Sequence, residues 1–320
     1  MYMRVRELGN VLEVTAPAKI NLFLEVLNRR SDGFHDIETL MTSVTIFDSV
    51  YFSLDTGGRI TLDCDWASGM DACTGRRSRE GAGVGDLPKD TDNIVVKAVE
   101  RLREEAGVEL GAKIRLVKRI PSAAGLGGAS SDAAAVMVAA NHVWKLGWSR
   151  DQLAELSSQF GSDIPFFFGD GAAICRGRGE LIEPVRQPLP QLHCVIVKPP
   201  VGLSTPAVFK NCKVAEDPCD VRPAVDSWRK GKLSELGSRL TNRLQPVAEG
   251  LSPWIHKTGQ LFGRLDCLGH QMSGSGSSYF GLCRNARHAK RVAGRLRAMD
   301  CGRVFQVTTT KPRWLDRSQT

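Results

Sequence analysis

The nine cysteines of this 320-residue chain form no pattern. No two stand in a C-x-x-C arrangement, and Cys212 and Cys219 have no histidine pair at a zinc-finger spacing. Thiols this sparse exclude a disulfide scaffold and are expected to be reduced core or surface groups. Long apolar runs are missing too. Nowhere do eighteen apolar residues follow one another, so no membrane-spanning helix is expected. The N-terminal Met1–Glu7 lacks the apolar stretch of a signal peptide, which points to a cytoplasmic protein. Basic residues exceed acidic ones, 43 to 35, yet they gather only into small clusters such as Arg76-Arg77-Ser78-Arg79. A nucleic-acid stripe is therefore absent. There is no internal repeat.

What is present is a globular composition, 42% hydrophobic and 24% charged, with enough apolar residues for a full core. The net charge of +8 suits an anionic partner, and a phosphorylated small molecule meets that need. Leu22, Leu24 and Val26 alternate with Asn21, Phe23 and Glu25, the period of a strand. Val44–Leu54 and Arg59–Cys64 read as a hairpin around Thr56-Gly57-Gly58. Residues 66–88 lose all periodicity and read as an exposed insertion. Val95, Val99, Leu102 and Ala106 share one helical face, with Asp92 or Asn93 as cap. A strand Lys113–Ile120, an alanine-rich helix Ala129–Trp144 and a helix opened by the Ser149/Gln152 capping box follow. Later segments read as strand Leu192–Lys198, helix Ile255–Leu268, strand Tyr279–Cys283 and helix His288–Met299. Strands and helices mix without a regular βαβ beat, so the fold class is α+β. A boundary near 165–175 gives two domains, 1–170 and 171–320.

Between the strand ending at Ile120 and the alanine-rich helix lies Pro121-Ser122-Ala123-Ala124-Gly125-Leu126-Gly127-Gly128-Ala129-Ser130-Ser131. The first N–H groups of a helix have no internal partner and carry the positive end of its dipole. Glycines let backbone approach an anion closely, so this junction is a natural phosphate cradle. Taken alone it says no more than that, and a tight strand-to-helix turn accounts for it equally. No lysine follows the glycines as in a P-loop, and no acidic residue ends a second strand about twenty residues later as in a dinucleotide fold.

The segment resembles the P-x-x-x-G-L-G-S/G-S/G-S-S signature of the GHMP kinase superfamily. Two more motifs of that superfamily occur in order, Ala16-Pro17-Ala18-Lys19-Ile20-Asn21-Leu22 and Met272-Ser273-Gly274-Ser275-Gly276-Ser277-Ser278. Arg30-Ser31-Asp32-Gly33-Phe34-His35, Asp92-Asn93-Ile94-Val95 and Gly161-Ser162-Asp163-Ile164-Pro165-Phe166 are similar to motifs of its branch acting on a diphosphocytidyl alcohol. The resemblance spans nearly the whole chain apart from the insertion. It implies a two-domain GHMP kinase fold, ATP with Mg²⁺, and a small-molecule substrate carrying a cytidine diphosphate. It implies neither nucleic acid nor membrane as partner, and a monomer or weak homodimer.

The roles it implies follow residue by residue. Asp163 matches the catalytic base that a tertiary alcohol requires, although its position also suits a cap for the turn led by Pro165. Lys19 matches the second catalytic residue, offsetting charge in the transition state. The glycine segment 121–131, Asn93 and Lys118 match the ATP site; Lys118 reads equally as an exposed strand residue. Phe34 stacks on the cytosine ring and His35 hydrogen-bonds its edge. Phe209 stands on the other side of the base, or in the core. Asn21 and Thr205 match the methylerythritol and phosphate contacts, and Gly274 and Gly276 shape the diphosphate site. No residue is expected to be a metal ligand. Asn242-Arg243-Leu244-Gln245 replaces an acidic Asn-Asp-Leu-Glu of many relatives, so that segment has no assigned role. A homoserine or mevalonate kinase is the rival within the superfamily, and a basic nucleic-acid-binding protein the rival outside it.

Overall fold

A computed structural model describes residues 3–68, 70, 93–186 and 188–310. The first sheet is built from β1 (Val5–Leu8), β2 (Val11–Arg29), β3 (His35–Asp55), β4 (Ile60–Trp66) and, after α1 (Ile94–Ala106), β5 (Gly111–Lys118). The helices α2 (Gly128–Val143) and α3 (Arg150–Ser158) follow, then a 3-10 turn, Pro165–Phe168. Strands β6 (Ala172–Arg176) and β7 (Leu181–Pro184) return to the same sheet, and β8 (His193–Lys198) opens a second one. Next come α4 (Thr205–Lys210), α5 (Arg222–Arg229), α6 (Leu233–Ser238), the two-residue β9 (Thr241–Asn242), α7 (Gln245–Leu251) and α8 (Pro253–Gly263). The chain ends in β10 (Gly269–Met272), β11 (Tyr279–Cys283), α9 (Ala286–Arg297) and β12 (Arg303–Thr308).

Strand β2 is the spine. It pairs with β1, β3 and β9, and residues 16–26 are buried without a break because both faces are covered. Its first half packs Val14 and Ala16 against α1 and α2, and its second half packs Ala18, Ile20 and Leu22 against the second sheet. Proline cannot donate to a ladder, and Pro17 sits where it need not. The register with β3 slips there, from Pro17↔Phe47 to Ala18↔Val44. Such irregularities re-aim side chains beside active sites, and Lys19 comes directly after this one. The second sheet, in the order β10-β11-β8-β12, is antiparallel throughout and packs α8 and α9 on one face. Among the described residues no helix is long and apolar enough to cross a membrane.

Helix starts follow the local chemistry. Asn93 caps α1 by accepting from the Val95 N–H at 3.0 Å, and Ser149 and Gln152 form the reciprocal capping box of α3. The expected hairpin of β3 and β4 does not form. Thr56 and Gly57 do turn the chain, but β4 crosses to the far side of β5 and pairs with it in parallel. The reason is burial. Strand β5 hides Ile114 and Leu116 and takes the inner position next to β3, whereas β4 alternates half-buried and exposed residues as an edge does. The crossing is tight at Gly111, where a Cβ would lie 2.3 Å from the Arg59 carbonyl. Strand β5 stops at Lys118, two residues early, because the Arg119 and Ile120 N–H groups turn to the Asp48 carboxylate. The first sheet reaches past residue 170 to Pro184, since β6 pairs with the stretch of β3 that β5 leaves uncovered. Nearly all of the expected 66–88 insertion, along with Asp92, lies outside the described residues.

Candidate active site

The sheets, the glycine segment and the 3-10 turn converge on a cavity of about 1060 Å³. Lys19 stands at its centre, buried, on the stretch of β2 that follows the register slip. Its backbone N–H donates to the Leu126 carbonyl (2.9 Å), so the glycine segment is tied to the strand at the residue that matters. Its Nζ donates to Asn21 Oδ1 at 2.7 Å and lies 3.6 Å from Asp163 Oδ2. Asn21 shares a face of β2 with Lys19, two residues on. Its Nδ2 donates to Thr39 Oγ1 at 2.9 Å, which fixes Oδ1 toward the lysine. Asp163 does not cap the Pro165–Phe168 turn, whose first residue is preceded by Ile164 with no side-chain cap. Its carboxylate is half-buried and faces Lys19.

Pro121 to Ser130 all line the cavity. Gly127 adopts a left-handed conformation (φ 68°) as N-cap of α2, and a Cβ there would meet Lys19 Cγ at 2.9 Å and Phe167 Cζ at 3.0 Å. Backbone passes that close only as glycine. Ser131, one residue further along the helix, is turned away; it is buried, its Oγ has no partner, and it does not line the cavity. The turn 273–278 closes on the glycine segment, with Ser273 Oγ donating to Gly125 O (2.9 Å) and Ser278 N–H to Ala124 O (3.0 Å). Gly274 reaches the cavity, where a Cβ would lie 3.2 Å from Lys19 Nζ. Gly276 packs on Met272 outside it, and Ser275 lines the wall instead, bonded to Thr205 Oγ1 at 2.7 Å.

Lys118 is not an exposed strand residue. It is buried beneath the glycine segment, and its Nζ donates to both Asp48 and Asp132. Burial works against the ammonium, but the two carboxylates outweigh it and raise its pKa above the ordinary value. With two carboxylates on one lysine, burial pushes the Asp132 carboxyl up. Asn93 and Lys118 line one arm of the cavity with Ile94 and Leu116. The other arm holds Phe34, His35 and Phe209. The His35 and Phe209 rings lie 5.5 Å apart, so no ring fits between them, while Phe34 is 52% exposed with the Arg178 guanidinium 5.2 Å over its face.

Arg178, Asp48 and Asp132 escaped the sequence reading. Asp132 follows the Ser-Ser of the glycine segment directly, and Asp48 is an acid inside an apolar strand; both were visible signals of a buried partner. Arg178 offered none. Among the described residues no group of three or more His, Cys, Asp or Glu could hold a metal ion.

A cavity closed by two glycine turns, with a lysine–aspartate pair between them, offers an anion cradle beside a base and a cation, the parts a phosphoryl transfer to a small molecule needs. The GHMP kinases N terminal domain family matches residues 93–171, and the GHMP kinases C terminal family matches residues 223–300. The chain is 39% identical over 305 residues to 4-diphosphocytidyl-2-C-methyl-D-erythritol kinase of Pelotomaculum thermopropionicum, covering 95% of this chain and 99% of that one. The Shouchella clausii enzyme of the same name is 35% identical, covering 92% and 93%. A crystal structure of 4-(cytidine 5'-diphospho)-2C-methyl-D-erythritol kinase superposes with TM-score 0.74 at 30% identity, covering 93% and 99%. Homoserine kinase from Cytophaga hutchinsonii, at 20% identity and TM-score 0.68 over 96% of each chain, shares the fold. The chain is a GHMP kinase. Within that superfamily it belongs to the 4-diphosphocytidyl-2-C-methyl-D-erythritol kinase family.

Proposed function

We propose that the protein transfers the γ-phosphoryl group of ATP to the 2-hydroxyl of 4-diphosphocytidyl-2-C-methyl-D-erythritol, in the non-mevalonate route to isoprenoids. The observation that carries this reading is the Lys19–Asp163 pair, 3.6 Å apart, between the glycine segment and the arm holding His35 and Phe209. Residues 121–130 hold the triphosphate on backbone N–H groups at the start of α2, and Asn93 and Lys118 bound the adenosine end. Phe34, His35 and Phe209 take the cytosine. Because His35 and Phe209 are already in contact, the base stacks against that pair rather than between its members. Asn21, Thr205 and Gly274 meet the methylerythritol and its diphosphate, with Gly276 supporting the turn from behind.

Phosphoryl transfer needs in-line placement and charge neutralisation more than covalent chemistry from the protein. Asp163 accepts the hydroxyl proton as the oxygen–phosphorus bond forms and the bond to ADP breaks. Lys19, its Nζ steered by Asn21 Oδ1, faces the negative charge gathering on the transferred group. The Ser130 hydroxyl, a hard oxygen donor at the start of α2, lines the cavity beside the glycine segment and suits Mg²⁺ carried in on the nucleotide. The ion would supply charge neutralisation. The protein acts in the cytoplasm on small molecules, with neither nucleic acid nor membrane as partner, as a monomer or weak homodimer.

Asp163→Asn tests the reading. ADP release with the diphosphocytidyl substrate should fall by about 10²- to 10⁴-fold, the usual contribution of a general base, while nucleotide affinity by titration stays within about twofold. Full activity in the variant would remove Asp163 as base. Turnover of homoserine or mevalonate in its place would reassign the substrate.

A further inference from the structure

The segment Asn242-Arg243-Leu244-Gln245, which the sequence left without a role, lies along the strand that carries Lys19. Strand β9 pairs in parallel with β2 at Phe23 and Leu24, and the Arg243 N–H donates to the Leu24 carbonyl at 2.9 Å. Asn242 is buried, and its carboxamide is fully engaged. Nδ2 donates to the carbonyls of Met272 and Gly274, both at 2.8 Å, and Oδ1 accepts from the Leu244 N–H at 3.0 Å. Gln245 Oε1 accepts from the Met272 N–H at 3.0 Å. One short segment thus holds both ends of the approach to the turn 273–276, whose Gly274 lies against Lys19 Nζ and Asn21 Oδ1.

Arg243 fixes that segment to the spine. Its guanidinium grips the fully buried Glu25 of β2 with two bonds, Nε to Oε1 at 2.6 Å and Nη2 to Oε2 at 2.8 Å. Glu25 also accepts from the Val26 and Cys219 N–H groups, so the charge of the arginine is met by a carboxylate with no freedom to move. Asn242 thereby ties the turn from the second sheet to β2 beside the lysine, next to the direct bonds from the Asn21 N–H to Ser273 Oγ at 3.4 Å and from Gln271 Nε2 to the Asn21 carbonyl at 2.8 Å.

We propose that Asn242 is a positioning residue for phosphoryl transfer: its carboxamide, anchored through Arg243 and Glu25, sets the distance of the Met272–Ser275 turn from Lys19. This rests on the kinase reading given above. A carboxylate has the shape of the amide and none of its donors. Asn242→Asp turns both bonds into contacts between oxygens, and the turn moves away from Lys19. The two carbonyls lose their donors, a loss that a buried acceptor does not make good.

The test compares kcat, KM for each substrate, melting temperature and pH profile of the full-length wild type, N242D and N242S. N242D should lose about 10- to 100-fold in kcat, the effect of displacing a reacting group by about an ångström, with a smaller change in KM for ATP. Its activity relative to wild type should recover as pH falls, because a protonated carboxyl again donates to one carbonyl. N242S should lose activity without that recovery. Wild-type kcat in N242D would overturn the proposal, as would a loss matched by the unfolded fraction with no pH-dependent recovery. A wild-type enzyme with no kinase activity on the diphosphocytidyl alcohol would sink both this proposal and the functional reading, which separates the two failures.

Discussion

His35 shows how much of a binding site is decided by one side chain's surroundings. Burial, and secondarily the charge of Arg29, lowers its pKa below the ordinary 6.5. The imidazole is therefore neutral at pH 7 and presents one N–H and one lone pair to a ligand. Packed against Phe209, it pairs a flat apolar surface with a polar edge, the two things a cytosine ring offers. Protonation would replace the lone pair with a second donor and set a cation against the charge of Arg29. The KM for the cytidine substrate should accordingly be flat from about pH 7 upward and rise as acid protonates the ring, below the ordinary imidazole range of about 6.5; the KM for ATP should not follow. Steady-state kinetics across that range decides it, and a cytidine-substrate KM unchanged at about pH 5 would remove His35 as a neutral contact. The residues legible beforehand, Lys19, His35 and Asp163, sit in motifs whose neighbours announce them. Arg178 and the Asp48–Lys118–Asp132 group were not legible as a site, because Asp48 meets Lys118 across 70 residues through the pairing of β3 with β5, and Arg178 reaches Phe34 only once β6 has returned to β3.

At the scale of elements, the strand, glycine segment and helix 111–143 were readable because their conformations are local. Glycine at a left-handed cap and alanine through a helix speak for themselves. The order of β4 and β5 was not, since a turn sequence tells only that the chain reverses and not which strand will lie between the arms. The same reasoning separates two glycines of similar conformation. Gly127 (φ 68°) has Lys19 Cγ and Phe167 Cζ at 2.9 and 3.0 Å from where a Cβ would stand, whereas Gly147 (φ 71°) has nothing within 4 Å. Alanine at either position forces a left-handed residue, costing about 1–2 kcal/mol. Both variants should therefore melt lower. Only Gly127→Ala should also displace Lys19, with a fall in kcat of about 10-fold or more. Equal kcat in the two variants, measured on folded protein, would show that the glycine segment does not set the position of the lysine.

Between the two sheets lies a shared core, flanked by a core under α1 and α2 on one side and by one under α8 and α9 on the other. Residues of β2 and β3 pack directly on β8, β11, α5 and α6, and Val44 of β3 bridges Thr309 beyond β12. At the end of β8 this arrangement buries a lysine. Lys198 donates from Nζ to the carbonyls of Pro199 (2.9 Å) and Val201 (2.7 Å), and Val201 O also accepts from Ser277 Oγ at 2.5 Å. Burial pushes its pKa down to about 8, from the 10.5 of a free lysine. Between those two values the unfolded chain holds a proton that the folded chain has released, so this group's contribution to stability rises with pH across that window. Below about pH 8 the folded state carries the full cost of a buried cation. The difference of about 2.5 units corresponds to roughly 3 kcal/mol. Both carbonyl bonds survive deprotonation, because a neutral amine still has two N–H groups, and their loss in Lys198→Met is a constant offset at every pH. Urea denaturation of wild type and K198M at about pH 7 and about pH 10.5 should therefore show the wild type gaining a few kcal/mol on the variant as pH rises, the other titrating groups cancelling in the difference. Parallel stability curves for the two proteins would mean that Lys198 is solvated in the native state and that the core between the sheets is open at that end.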